Sequence, residues 1–231
     1  MYMRKSCLVA FLLASIVIFA TSPFAYAGNT NLGPFELGMT ESEFWDVLPK
    51  DTAIESTEVP LSSLYEPESE IPQDIACLRI QEEGGFQVYI DCRSYVLTDV
   101  LQGRLSLEKQ RFVFGRATKA DTLTLFKISL WYFYPKGASP EDLLGKYMEK
   151  WGGSPIQQSE LEWEWEWGPS WSYGDYESGS TYLAEFNKWY RSNLTNEYLS
   201  YTVKLFDKER MKQSGEASVA ENNKKDAIVI D

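Results

Sequence analysis

The chain has 231 residues, with 22 Lys and Arg against 34 Asp and Glu, no histidine, and a net charge of −12 at pH 7. So acidic a surface repels phosphates and anionic headgroups, which excludes nucleic acid as a partner. The missing histidine excludes Ser–His–Asp and Cys–His nucleophile systems and histidine-ligated zinc.

The first residues read as a leader rather than as part of the fold. Arg4 and Lys5 give a basic start, Cys7 to Ala20 is apolar, and Ala25-Tyr26-Ala27 offers small residues around a cleavage point. This is the pattern of a secretory signal peptide over residues 1–27, cut after Ala27, and it predicts a soluble protein of the periplasm or the secreted fraction. The apolar run of 14 residues is short of the roughly 20 that span a bilayer. Cleavage removes two basic side chains and no acidic one, leaving 20 against 34 and a charge of −14.

Thr40-Glu41-Ser42-Glu43 then writes a capping box, with Met39 and Phe44 spaced as a hydrophobic staple, so a helix starts at Thr40 and ends before Pro49. Pro49 to Asp74, with Pro60, Pro67 and Pro72, reads as a long solvated connection. Gly84-Gly85 marks a two-residue turn between strands Ile75–Glu83 and Phe86–Arg93, and in that register Cys77 falls opposite Cys92. An exported chain with these two cysteines is expected to join them in a structural disulfide. The same register sets Arg79 opposite Ile90 and Gln81 opposite Val88, a conflict that a bulge near the glycines would relieve.

Gln110–Arg116 and Thr122–Tyr134 read as further strands. A second capped helix follows from Pro140 to about Trp151, with Leu143, Leu144, Tyr147, Met148 and Trp151 on one face and Gly152-Gly153 as its stop. In Leu161–Trp167 strict alternation puts Trp163, Trp165 and Trp167 on one side of a strand and Glu162, Glu164 and Glu166 on the other. Gly168-Pro169 is expected to end that strand, opening a loop with Trp171, Tyr173 and Tyr176. Strands at Ser180–Tyr190 and Tyr198–Asp207 complete the pattern, and residues 208–231 read as a disordered charged tail.

The tryptophan strand has three readings. Its rings form core beneath the second helix, or they and the 168–179 loop grip a partner, or the glutamates form a cation or acid–base site. Trp163, Trp165, Trp167, Trp171, Tyr173 and Tyr176 are therefore the candidate binding residues. Glu164 with Glu166, or Asp175 with Glu177, are the carboxylates an enzyme acting on glycans would use, but nothing sets one pair apart. No phosphate cradle, calcium-loop spacing or Cys-x-x-Cys is present, so no catalytic residue, metal ligand or cofactor site is assigned.

Gly38-Met39-Thr40 with an acidic residue at 43 resembles the helix-start signature of the small lipoprotein of the outer-membrane β-barrel assembly machinery. The wider layout, including the helix over 140–151 followed by Gly152-Gly153-Ser154-Pro155 and a tryptophan-bearing strand, resembles the β-lactamase inhibitory protein fold. That resemblance implies helices packed on a curved antiparallel sheet, in tandem, with an aromatic sheet face that grips a protein; no functional residue is carried over from it. The fold expected is α+β, with units at 28–135 and 136–207. The function expected is non-catalytic binding of a protein partner, and the alternative is a protein acting on a glycan or the cell wall.

Overall fold

The computed structural model describes residues 29–60, 70–93, 106–134, 140–151, 155–159, 162–173, 176–193 and 196–228. The leader over 1–27 and the Gly152-Gly153 stop lie outside them.

Helix α1 (Glu41–Val47) begins with the capping box intact. The Glu43 N–H donates to Thr40 Oγ1 at 3.2 Å and the Thr40 N–H to Glu43 Oε2 at 2.7 Å. The Thr40 backbone bond, then its hydroxyl, holds the Glu43 carboxyl below its ordinary value. Pro49 disfavours helical backbone at the residue before it, and Leu48 is accordingly extended at φ −77°, ψ 155°. A short hairpin of β1 (Asn31–Leu32) and β2 (Phe35–Glu36) lies beside the helix. The rings of Phe35, Phe44 and Phe112 meet there at 4.5–5.1 Å, and all three are fully buried.

Nine strands form one sheet: β3 (Ile54–Val59), β4 (Cys77–Glu82), β5 (Gln87–Cys92), β6 (Ser106–Gly115), β7 (Thr124–Tyr134), β8 (Ile156–Ser159), β9 (Glu162–Tyr173), β10 (Tyr176–Asn193) and β11 (Asn196–Asp207). Their order is β3-β4-β5-β6-β7-β11-β10-β9-β8, antiparallel throughout except for β3 beside β4. The α+β class is as expected, and the two groups of strands meet at the β7–β11 pair, so they share one sheet. Helix α2 (Pro140–Trp151) lays Tyr147 and Trp151 on the same sheet face that receives α1.

The cysteine hairpin has the expected register, Cys77 opposite Cys92 and Gln81 opposite Val88, with no bulge between. The disulfide closes across a Cα separation of 4.1 Å, at a pair whose Cys77 N–H donates away from β5 to Ala53. Gly84 and Gly85 take φ of 100° and 71°, which the tight turn demands. The Arg79 conflict is resolved by charge instead of by a bulge. On the helix-bearing face Arg79 reaches Glu41 of α1 at 2.6 and 3.2 Å.

Three expectations are corrected. Residues 54–59, expected in a loop, form β3, an edge strand whose pairing is carried by the backbone, since five of its six side chains are exposed. Gly168-Pro169 does not end the tryptophan strand: β9 continues to Tyr173, and the chain returns as β10 from Tyr176, with register shifts at Ser178–Ser180 and Ser180–Tyr182. Of the tail expected to be disordered, Lys208 to Ile228 form helix α3. It crosses the strand ends through polar contacts: Arg210 on Thr124, Ser214 Oγ accepting from Gln87 Nε2 at 3.2 Å, and Ser218 donating to Glu82 at 2.8 Å. A Cβ on Gly115 would lie 2.7 Å from Ser214 and from Phe126, so glycine is what lets α3 close on β6.

Candidate functional site

The tryptophan strand presents two different faces. Trp165 is 4% exposed and packs on Trp151 at 5.1 Å, while Trp151 stacks on Tyr147 at 4.7 Å. Phe186 and Tyr201 continue the layer at 5.3 Å, and the Tyr132 and Tyr147 hydroxyls meet at 3.3 Å. Burial pushes Tyr147 up to about 12 and Tyr132 well above its ordinary value. This layer is the core beneath α2, so Trp165 is a packing residue and not a binding one. Trp163 and Trp167 pair through the backbone with Phe186 and Tyr182 on β10; their side chains lie outside the described set.

On the opposite face the registers align a transverse row: Leu78, Asp91, Arg111, Ser129, Lys204, Glu185 and Glu164. Asp91 and Arg111 are buried and joined twice, at 2.6 and 2.7 Å. In such a buried pair each charge offsets the desolvation of the other. Farther along, Lys204 reaches Glu185 at 2.9 Å and Gln158 reaches Glu164 at 2.7 Å. Glu166 accepts from Lys208 of α3 at 2.8 Å. Glu164 and Glu166 thus each serve a structural contact, and they point to no shared reacting centre. Among the described residues no group of three or more Cys, Asp and Glu could hold a metal ion. Asp175 lies outside the described residues, and Glu177 stands on β10 opposite Ser172.

Trp171, Tyr173 and Tyr176 are placed by their backbone alone, their side chains lying outside the described set. β11 pairs with β10 only from Tyr182 onward, and β8 pairs with β9 only over Glu162–Glu164. From Ser170 to Tyr173 and from Tyr176 to Ser180 the two strands therefore pair, among the described residues, only with each other. Residues 170–173 and 176–180 thus form a two-stranded ribbon beyond the strands that flank β9 and β10, where a loop was expected. A lone two-stranded ribbon gains little stability from itself. Its outer edges also offer backbone N–H and C=O groups for pairing. Sequence reasoning placed these aromatics in a loop and missed the ribbon, since Gly168-Pro169 is ordinarily a breaker. It also missed the Asp91–Arg111 and Arg79–Glu41 pairs, whose only signal is a charge at an otherwise apolar strand position.

No helix among the described residues is long and apolar enough to cross a membrane. No family model, curated protein or solved structure matches the chain.

Proposed function

We propose that this chain is an exported binding protein without catalysis of its own, which holds a protein partner through the β9–β10 ribbon. The observation that carries this reading is the isolation of the ribbon: residues 170–173 and 176–180, which include Trp171, Tyr173 and Tyr176, pair among the described residues only with each other. Aromatic side chains supply much contact area at low entropic cost and dominate protein interfaces. The ribbon edges add a second grip, because an extended partner segment can pair with them. Export is supported by the leader-like first 27 residues together with the Cys77–Cys92 disulfide, a bond that persists in oxidising compartments.

We also propose that the chain is built of two similar units, in the manner of the β-lactamase inhibitory protein fold. Support comes from the order of elements: α1 precedes the meander β4–β7, α2 precedes the meander β8–β11, and their last strands pair. The functional test is substitution on the ribbon. Trp171→Ala and Tyr173→Ala are expected to weaken partner binding about tenfold or more while leaving the thermal melt unchanged. A lowered melt instead would make those rings part of the core and remove the proposed contact.

A further inference from the structure

β3 forms one edge of the nine-stranded sheet, at the end opposite to β9 and β8. It is six residues long, contains no proline or lysine, and pairs with β4 without a register shift. Natural sheet edges are usually blunted by just such features. Ala53 and Val59 turn their carbonyls toward β4, accepting from Cys77 at 3.1 Å and from Glu83 at 2.8 Å. In a parallel pair alternate residues bond the same neighbour, so Ile54, Ser56 and Glu58 turn their N–H and C=O groups away from β4. Among the described residues β3 pairs with no other strand. The side chains of Ile54 to Glu58 are all exposed, Ile54 at 45%.

We propose that the free edge of β3 takes up an extended, basic segment of a protein as an added strand of the sheet. The site lies at the far edge from the ribbon and stands without it. The outward backbone groups of Ile54, Ser56 and Glu58 supply the pairing, as in strand addition to an open sheet edge. Glu55 and Glu58 choose the occupant. They stand three residues apart on a strand, so one carboxylate lies on each face of the edge. Among the described residues neither is held in an ion pair. Arg79, in register with Ser56, is already engaged by Glu41 and Gln81. Lysine or arginine side chains three positions apart on the added strand lie against both carboxylates. A second copy is selected against. A two-fold axis at Ser56 sets the two Glu55 carboxylates diagonally across the seam, about 7–8 Å apart, and an axis at Thr57 does the same to Glu58. The net charge of −12 on each chain adds to that repulsion. One added strand buries less than the roughly 1,200 Å² of a standard interface, so the complex dissociates in the micromolar range.

The test is fluorescence anisotropy of a labelled synthetic peptide of about ten residues, alternating valine and threonine with two lysines three positions apart. Titrated with the purified protein, it is expected to bind with a micromolar dissociation constant that weakens as salt rises from about 0.05 to 0.3 M. Ser56→Pro removes an outward N–H and no bond to β4, so it is expected to weaken binding about tenfold or more at unchanged melting temperature. A peptide methylated at every backbone nitrogen is expected not to bind the parent protein, a control that leaves the fold untouched. Glu55→Lys combined with Glu58→Lys reverses the preference, taking a peptide with glutamates in place of the lysines. Trp171→Ala leaves this binding unchanged, which separates the edge from the ribbon. Failure of the lysine peptide to bind overturns the proposal. So does equal binding by the methylated peptide or by Ser56→Pro, or a dimer in sedimentation velocity that Ser56→Pro dissolves.

Discussion

Replacing Trp165 by alanine separates core from binding surface most cleanly. Its ring is buried against Trp151, and the residue beside it on β10 is Ala184, too small to fill the space left. A buried indole covers about 150–250 Å², and at about 25 cal/mol/Å² its removal costs about 4–6 kcal/mol. Measured core truncations of this kind fall at about 3–5 kcal/mol, a large share of the roughly 5–15 kcal/mol that holds a domain together. For a chain of this size the melting temperature drops by about 2–4 °C per kcal/mol, or about 6–20 °C in total. Circular dichroism melts and urea titrations read the loss, with the midpoint lowered and the slope unchanged. Trp165→Phe is expected to cost less, because the buried Trp165 Nε1 has no hydrogen-bond partner among the described residues and leaves with the substitution. A Trp165→Ala protein that melts within about 2 °C of the parent would refute the assignment of this face to the core.

Three further outcomes follow from the packing. Reduction of the Cys77–Cys92 bond, which closes a separation of 15 residues, is expected to lower stability by about 3 kcal/mol, measured by urea titration with and without reductant. Arg111→Met alone should cost about 3–5 kcal/mol, because Asp91 is then left charged and buried; Asp91→Leu with Arg111→Met should recover most of it. Tyr132 and Tyr147 stay protonated in the fold above the pH at which the unfolded phenols ionise. Their contribution is therefore complete below about pH 10 and is lost as the pH climbs through about 12. Tyr147→Phe should remove roughly 2–3 kcal/mol of that alkaline loss, seen as a shallower fall in urea midpoint between about pH 10 and 12.

Where local chemistry determines conformation, the sequence was legible. The Thr40–Glu43 capping box, the Gly84-Gly85 turn, the cysteine register and the Tyr147–Trp151 helix face all rest on neighbours within a turn or a hairpin. The missed elements depend on distant partners. β3 is held by backbone bonds to β4, and its exposed side chains carry no alternation to read. α3 docks through Arg210, Ser214 and Ser218, polar residues that resemble a solvated tail until Thr124, Gln87 and Glu82 are brought beside them. Arg79 looked like a register error because Glu41, 38 residues earlier, was not visible as its partner. At the candidate site, the alternation in 162–167 was readable, and its first reading set the tryptophans as core beneath the second helix, a choice that only a distant contact could test. Trp165 answers that by meeting Trp151, a residue of α2.

The central claim concerns the ribbon, and the most direct measurement is affinity capture of the exported fraction of the native host with parent, Trp171→Ala and Tyr173→Ala proteins, each also melted. The account predicts one stoichiometric protein held by the parent and lost by both variants at unchanged melting temperature. Equal capture by all three, or loss of capture only where the melt has fallen, would contradict it.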